Sequence, residues 1–208
     1  MNERVSEALA LLRGAAKKRP DDIELRQKLF DACVRAGLFD EAVQAFTELV
    51  QTQPEWSQFH FDTVARSSGG SVGELRAAFE RAAAKQPRDA LIWYGLGFIW
   101  QLLGDQEAAG KAFRRGIAAA PKFAALHYNL GVVLMDDAEQ AAEHLQRAVS
   151  CSPTIAEPHF PLGTIYMTQD RVKAAHHFRE FIRLAPAYLQ GYIGQARLSL
   201  QALGEAGA

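Results

Sequence analysis

The sequence predicts an all-α protein built as a solenoid of antiparallel helix pairs. Three observations carry that reading. Pro20, Pro54, Pro87, Pro121, Pro153 and Pro186 recur at intervals of 34, 33, 34, 32 and 33 residues. A fixed period of this size is the mark of a repeat architecture. Ahead of each proline runs one apolar helical face. Twelve residues before stand Ala8, Ala42, Leu75, Ala109, Ala141 and Ala174, and eight before stand Leu12, Phe46, Phe79, Phe113, Leu145 and Phe178. Five before stand Ala15, Leu49, Ala82, Gly116, Ala148 and Phe181. The proline then ends the helix, because it lacks an N–H and disfavours helix in the residue before it. The third observation is an earlier helix in most units, read from Trp93, Leu96-Gly97 and Trp100. It recurs as His127, Leu130-Gly131 and Leu134, as His159, Leu162-Gly163 and Tyr166, and as Arg26, Leu29-Phe30 and Cys33. Offsets of 0, 3, 4 and 7 lie on one face of a helix.

Taken in order, residues 3–20 make a lone second helix. Five pairs follow at 22–54, 55–87, 88–121, 122–153 and 154–186. Residues 187–203 make a final capping helix with Tyr188, Tyr192, Ala196 and Leu200 on one face. The whole of 3–203 is expected to be one array, with 204–208 a disordered tail. Gly37, Ser67 to Gly70 and Gly104-Asp105 supply the turns inside pairs. The unit at 55–87 departs from the pattern, with Asp62-Thr63 where the others carry Leu-Gly and Arg66 in place of a large apolar residue. Asp62 and Arg66 are spaced to pair along the helix. The unit reads either as a weakly packed repeat or as a hinge.

Composition narrows the function classes. The chain has 208 residues, 49% of them hydrophobic, which excludes wholesale disorder. Its net charge of −1 gives no support to a dedicated nucleic-acid binder. Cys33 and Cys151 are too few for a disulfide framework, and no apolar run approaches the ~18 residues of a membrane span. Residues 1–20 lack the uninterrupted apolar stretch of a secretory signal, so a cytoplasmic location is expected.

The best unit reads Trp93-x2-Leu96-Gly97-x2-Trp100, Ala109-x3-Phe113, Pro121. With tryptophan where tyrosine is usual, this resembles the tetratricopeptide repeat (TPR) family. The resemblance covers nearly the whole chain. It implies a right-handed superhelical solenoid whose first helices line a concave groove that binds extended or helical peptides of other proteins. Within the best unit, Trp93, Leu96, Gly97 and Trp100 are expected to face inward. The groove stripe is then Leu91, Tyr94 and Phe98, followed by Tyr128, Val132 and Met135, then Phe160, Thr164 and Met167, and on the last helix Ile193 and Arg197. The corresponding N-terminal stripes, with Glu24, Gln27, Asp31, Ser57 and His60, are polar. Rows of aromatic residues and methionine mark interaction surfaces. Asn129 resembles the asparagine that holds the peptide backbone in many TPR grooves, since an amide donates and accepts at once. The carboxylate clamp of chaperone-binding TPR proteins is poorly matched, because Tyr94 and Phe98 occupy its places.

No motif for catalysis is found: no nucleophile elbow, phosphate loop or zinc-protease helix. Neither metal nor cofactor is expected. His127 and His159 take core positions, and His144 and His177 are equivalent residues of successive second helices, too far apart to share an ion. The expectation is a non-catalytic adaptor or assembly factor with a protein or peptide partner, no nucleic acid and no membrane span. The alternative is a self-assembling scaffold using Val5, Leu9 and Leu12 at one end and Leu198 and Leu203 at the other. A type IV pilus or secretion assembly chaperone rests on fold analogy alone.

Overall fold

The computed structural model describes residues 3–55 and 57–204, with side chains from Ser6 onward. The proposed tail therefore lies outside the described residues except for Gly204, and Val5 lies outside the described side chains. The described residues form helices and turns with no strand. Two compact units divide the chain at Pro121, where the sequence reading drew one array.

Unit 1 holds α1 (Glu3–Lys18), α2 (Ile23–Arg35), α3 (Phe39–Thr52), α4 (Ser57–Ser68), α5 (Val72–Lys85), α6 (Ala90–Leu102) and α7 (Gln106–Ala119). Unit 2 holds α8 (Ala124–Val133), α9 (Ala138–Cys151), α10 (His159–Tyr166), α11 (Arg171–Leu184) and α12 (Gln190–Ala202). Neighbours in sequence pack as pairs: α2 with α3, α6 with α7, α8 with α9 and α10 with α11.

The starts and stops of these helices have specific causes. Asp22, Asp89, Asp105, Asp137 and Asp170 each accept a backbone N–H from the first turn that follows, at 2.8–3.1 Å. An aspartate in this place satisfies an otherwise orphaned donor and complements the helix dipole. Gly104 ends α6 with φ of +79°, and the Asp105 N–H bonds back to the Trp100 carbonyl at 3.0 Å. Only glycine takes that left-handed cap at little cost. Gly37 does the same after α2, with φ of +72°.

Aromatic rings fill the core of unit 1. Phe30, Phe46, Phe79, Phe98, Phe113 and Tyr94 are fully buried. Phe46 stands at the centre, 5.6–6.4 Å from the rings of Phe79, Phe30, Tyr94 and Phe98. On α6, a Cβ added at Gly97 would lie 2.2 Å from the Phe113 ring, and one at Gly95 would lie 2.3 Å from Phe79. The two glycines let rings from both neighbouring second helices press onto the α6 backbone, which is why that helix tolerates them despite their cost of about 1 kcal/mol each. Trp93 and Trp100 were expected to be the inward anchors of α6. They are only half-buried: the Trp93 indole N–H donates to the Pro87 carbonyl at 2.9 Å, and Arg76 lies over Trp100. Leu96 and Gly97 are buried as expected, and Ile92, Tyr94, Gly95, Phe98 and Ile99 are buried with them, because α6 is covered on several sides at once.

In the 55–87 repeat the first helix, α4, buries polar side chains, while α5 packs Leu75, Ala78 and Phe79 into the core; α4 lies against α2 and α6, and α5 against α3 and α6. Thr63 is fully buried; its hydroxyl donates to the Phe59 carbonyl and accepts from the Gln27 amide. The Asp62–Arg66 ion pair does not form as spaced. Asp62 accepts from Gln58, and Arg66 Nε donates to the Asp62 backbone carbonyl at 3.2 Å instead. Two core clusters serve unit 2. One gathers Ala141, Leu145, Leu162 and Ile165, with Tyr128 packed against it. The other gathers Phe178, Phe181, Leu189, Ile193, Ala196 and Leu200, with Phe160 and Met167 against it.

Candidate functional site

The expected groove residues separate into two groups. In unit 1, Leu91 is half-buried, while Tyr94 and Phe98 have no exposed surface. Their rings lie 4.5 Å apart and touch Phe46, Phe61 and Phe113, so they are core and cannot meet a ligand. The stripe rule failed here because α6 is apolar on every face, and periodicity cannot pick the open side of such a helix. The Tyr94 hydroxyl also donates to Ser57 Oγ at 3.0 Å and lies 3.2 Å from His60 Nδ1. His60 is fully buried, and its Nε2 has no hydrogen-bond partner among the described residues. Burial alone pushes its pKa down to about 3, so the ring is neutral at physiological pH.

In unit 2 the same stripe stays half open. Tyr128, Val132, Phe160 and Met167 are half-buried, and Met135 and Thr164 are exposed. On α12, Ile193 is buried into the floor and Arg197 is exposed. The helices are set side by side by the two core clusters: Tyr128 of α8 rests on the cluster that contains Leu162 of α10. Phe160 of α10 lies 5.6 Å from Tyr192 of α12. Asn129 departs from its expected role. It is buried, and its side-chain amide donates to the Ala125 carbonyl of its own helix at 2.6 Å.

The histidines meet in a way the sequence reading missed. By repeat position His144 corresponds to His177 of the next repeat. Each faces the first helix of its own repeat. His127 and His144 approach Nδ1 to Nδ1 at 3.3 Å, and His159 and His177 at 3.0 Å. Burial holds His159 at about 4, against the opposing pull of Glu180. Burial, then the neighbouring His159 and His176, hold His177 at about 4. The missed signal was the spacing of 17 and 18 residues within a helical hairpin, which brings its two arms level. Cys33 is buried, and burial raises its thiol pKa, so it is an inert core residue.

With this geometry in hand, two tetratricopeptide repeat models match the sequence, over residues 1–61 and 76–122. The chain belongs to the tetratricopeptide repeat family. The interval between the matches falls on the polar 55–87 repeat, where Asp62, Thr63 and Arg66 break the TPR pattern. Solved structures show the same all-α TPR fold. TTC0263, a thermophilic TPR protein of Thermus thermophilus, is 18% identical with a TM-score of 0.57, over 86% of this chain and 99% of that one. Yeast Tom70 is 17% identical with a TM-score of 0.65; the match takes in 95% of this chain but only 43% of Tom70. YrrB, a TPR protein described as having an unusual peptide-binding site, is 14% identical with a TM-score of 0.52, over 92% and 96% of the two chains. No curated protein matches the sequence. No helix among the described residues is long and apolar enough to cross a membrane.

Proposed function

We propose that the protein is a non-catalytic interaction module that holds a peptide or helix of a partner protein against the first helices of unit 2. One observation supports the reading: Tyr128 and Val132 of α8, Phe160 of α10, and Met135 and Met167 just past the ends of those helices all keep exposed surface, and Tyr128, Phe160 and Met167 rest on packed core. Aromatic residues and methionine are the side chains enriched in interface centres, and methionine adapts its shape to irregular partners. Thr164 and Arg197 add polar contacts at the edge of the row. Ile193 belongs to its floor, and Asn129 supports α8 rather than the ligand. The peptide-binding description of YrrB, a protein of the same fold, is consistent with this use.

The test is a peptide-library selection on the full chain, followed by affinity measurement of the enriched sequences. The expected sequences carry apolar anchors at helical or extended spacing. Met135→Asp with Met167→Asp weakens them by at least about tenfold, roughly the 1.4 kcal/mol of one lost anchor. Unchanged affinity in a variant with native circular dichroism overturns the assignment.

A second reading is self-association through the end helices. Leu11 of α1 is 74% exposed and Leu198 of α12 is 65% exposed, although Leu9 turns out to be buried and Leu12 and Leu203 half-buried. Sedimentation over a wide concentration range decides it: a strict monomer removes this reading.

A further inference from the structure

Four of the six histidines meet as two pairs in unit 2, and both pairs occupy the same two places of successive repeats. One place is the first residue of the motif on the first helix, held by His127 and His159. The other is the ninth residue before the closing proline, held by His144 and His177. In unit 1 those two places hold Arg26 and Ala45, Phe59 and Ala78, and Trp93 and Ala112. A large residue and an alanine thus give way to histidine at both places, in both repeats.

The separations have a chemical meaning. An imidazole nitrogen ligates zinc at about 2.0–2.1 Å, so two nitrogens on one ion stand about 3.0–3.4 Å apart. Both pairs stand within that distance, at 3.3 Å and 3.0 Å. We propose that each histidine pair is a binding site for a divalent transition-metal ion of the zinc type, ligated by the two Nδ1 atoms. Without the ion, one proton bridges the two Nδ1 atoms. When an ion takes its place, that ring becomes the Nε2–H tautomer and both imidazoles stay neutral. No three His, Cys, Asp or Glu side chains gather into a metal-holding cluster among the described residues, so each ion would take its remaining ligands from solvent.

The surroundings rank the two sites. The His127–His144 pair opens onto a cavity of about 380 Å³ that gives the ion a path in. Glu143 lines that cavity and favours a cation, and Arg147 lines it and opposes one. At the second pair, the Tyr166 ring stacks on His177 at an interplanar angle of 12° and fixes its orientation. The Glu180 carboxylate acts on His159 from one helical turn beyond His177, although Arg183 shares it. Fixed ligand orientation and a nearby carboxylate tighten metal sites, so His159–His177 is the stronger of the two. This inference does not rest on the peptide-binding reading.

The test is calorimetric titration of the untagged, chelator-treated full chain with zinc chloride near neutral pH. The expected result is two ions per chain. His177→Ala removes the tighter event, His144→Ala the weaker, and the double variant both, while His176→Ala changes neither. Alanine already fills this place in unit 1, and circular dichroism reports whether each variant is folded. A second readout is independent of variants: imidazole ¹⁵N spectra of the native chain, in which zinc shifts the Nδ1 resonances of these four histidines only. The proposal is overturned if zinc does not bind up to millimolar concentration, if the folded double variant binds as the native chain does, or if the shifts fall on other histidines.

Discussion

The two units solve one packing problem with partly different side chains. Each presses second helices onto the backbone of neighbouring first helices. Unit 1 does so with aromatic rings on bare backbone: Phe113 against Gly97 of its own repeat, and Phe79 against Gly95 of the next, with Phe46 joining five other rings. In unit 2 Leu145 makes the contact at Gly131 while the Phe178 ring makes the one at Gly163, and histidine pairs bridge the helices nearby. Tyr128, Val132, Met135, Phe160 and Met167 of unit 2 keep exposed surface, whereas the matching Tyr94 and Phe98 are consumed by the core of unit 1. Equivalent repeat positions therefore do not have equivalent fates. Whether a stripe residue is available depends on what its neighbours leave uncovered.

The comparison can be broken most forcefully at Phe46. Phe46→Ala removes the ring shared by α2, α3, α5 and α6, and should cost about 3–5 kcal/mol. Chemical denaturation followed at Trp93 and Trp100 reads this out. A cost near 1 kcal/mol would mean that the aromatic core of unit 1 is not its organising element. Gly97→Ala comes next. It forces the Phe113 ring away, and the expected loss is about 1–3 kcal/mol even after the gain in helix propensity. Gly131→Ala in unit 2 meets Leu145 Cγ at 2.7 Å and the Ala141 backbone oxygen at 3.1 Å, and should cost less, because the overlap is smaller than the 2.2 Å approach at Gly97. Equal costs at the two glycines would erase the distinction drawn between the units.

Acid sharpens the comparison further. His60 holds a pKa of about 3 when folded, against 6.5 in the unfolded chain. Between those values the unfolded state binds a proton that the folded state refuses. The His60 contribution to stability is therefore flat above pH 6.5 and falls as the pH drops below it. By pH 5 the loss from His60 is about 2 kcal/mol. Denaturation at both pH values, in native chain and in His60→Leu, checks this: the variant should lose that part of the pH dependence. The smallest effect is expected at the caps. Asp105→Ala in unit 1 removes one N-terminal bond, and Asp137→Ala in unit 2 removes two, from the backbone and side chain of Gln140; each should lower the denaturation midpoint slightly, Asp137→Ala the more.

Much of the fold could be read from the chain, and less of the site. The prolines and the Ala-x3-Phe faces announce an all-α repeat protein, and Trp93 to Pro121 names the family, because those residues mark helix ends and contacts that are local in sequence. The burial of Tyr94 and Phe98 could not be read in the same way. It depends on Phe61, Phe46 and Phe113, which come from three different helices. Asn129 looked like a ligand-holding amide, yet its bond to the Ala125 carbonyl is a helix-internal choice that spacing does not disclose. The histidine pairs were within reach of the sequence. They required counting across one hairpin, and the histidines were compared from one repeat to the next.

Partner binding is proposed to belong to the partly exposed apolar residues of unit 2. Hydrogen exchange of the full chain, with and without a saturating library-selected peptide, tests it most directly. New protection is expected in and just beyond α8 and α10, centred near Tyr128 to Met135 and Phe160 to Met167, with α6 unchanged. Protection confined to α2–α7, with α8 and α10 exchanging as in the free chain, would contradict it.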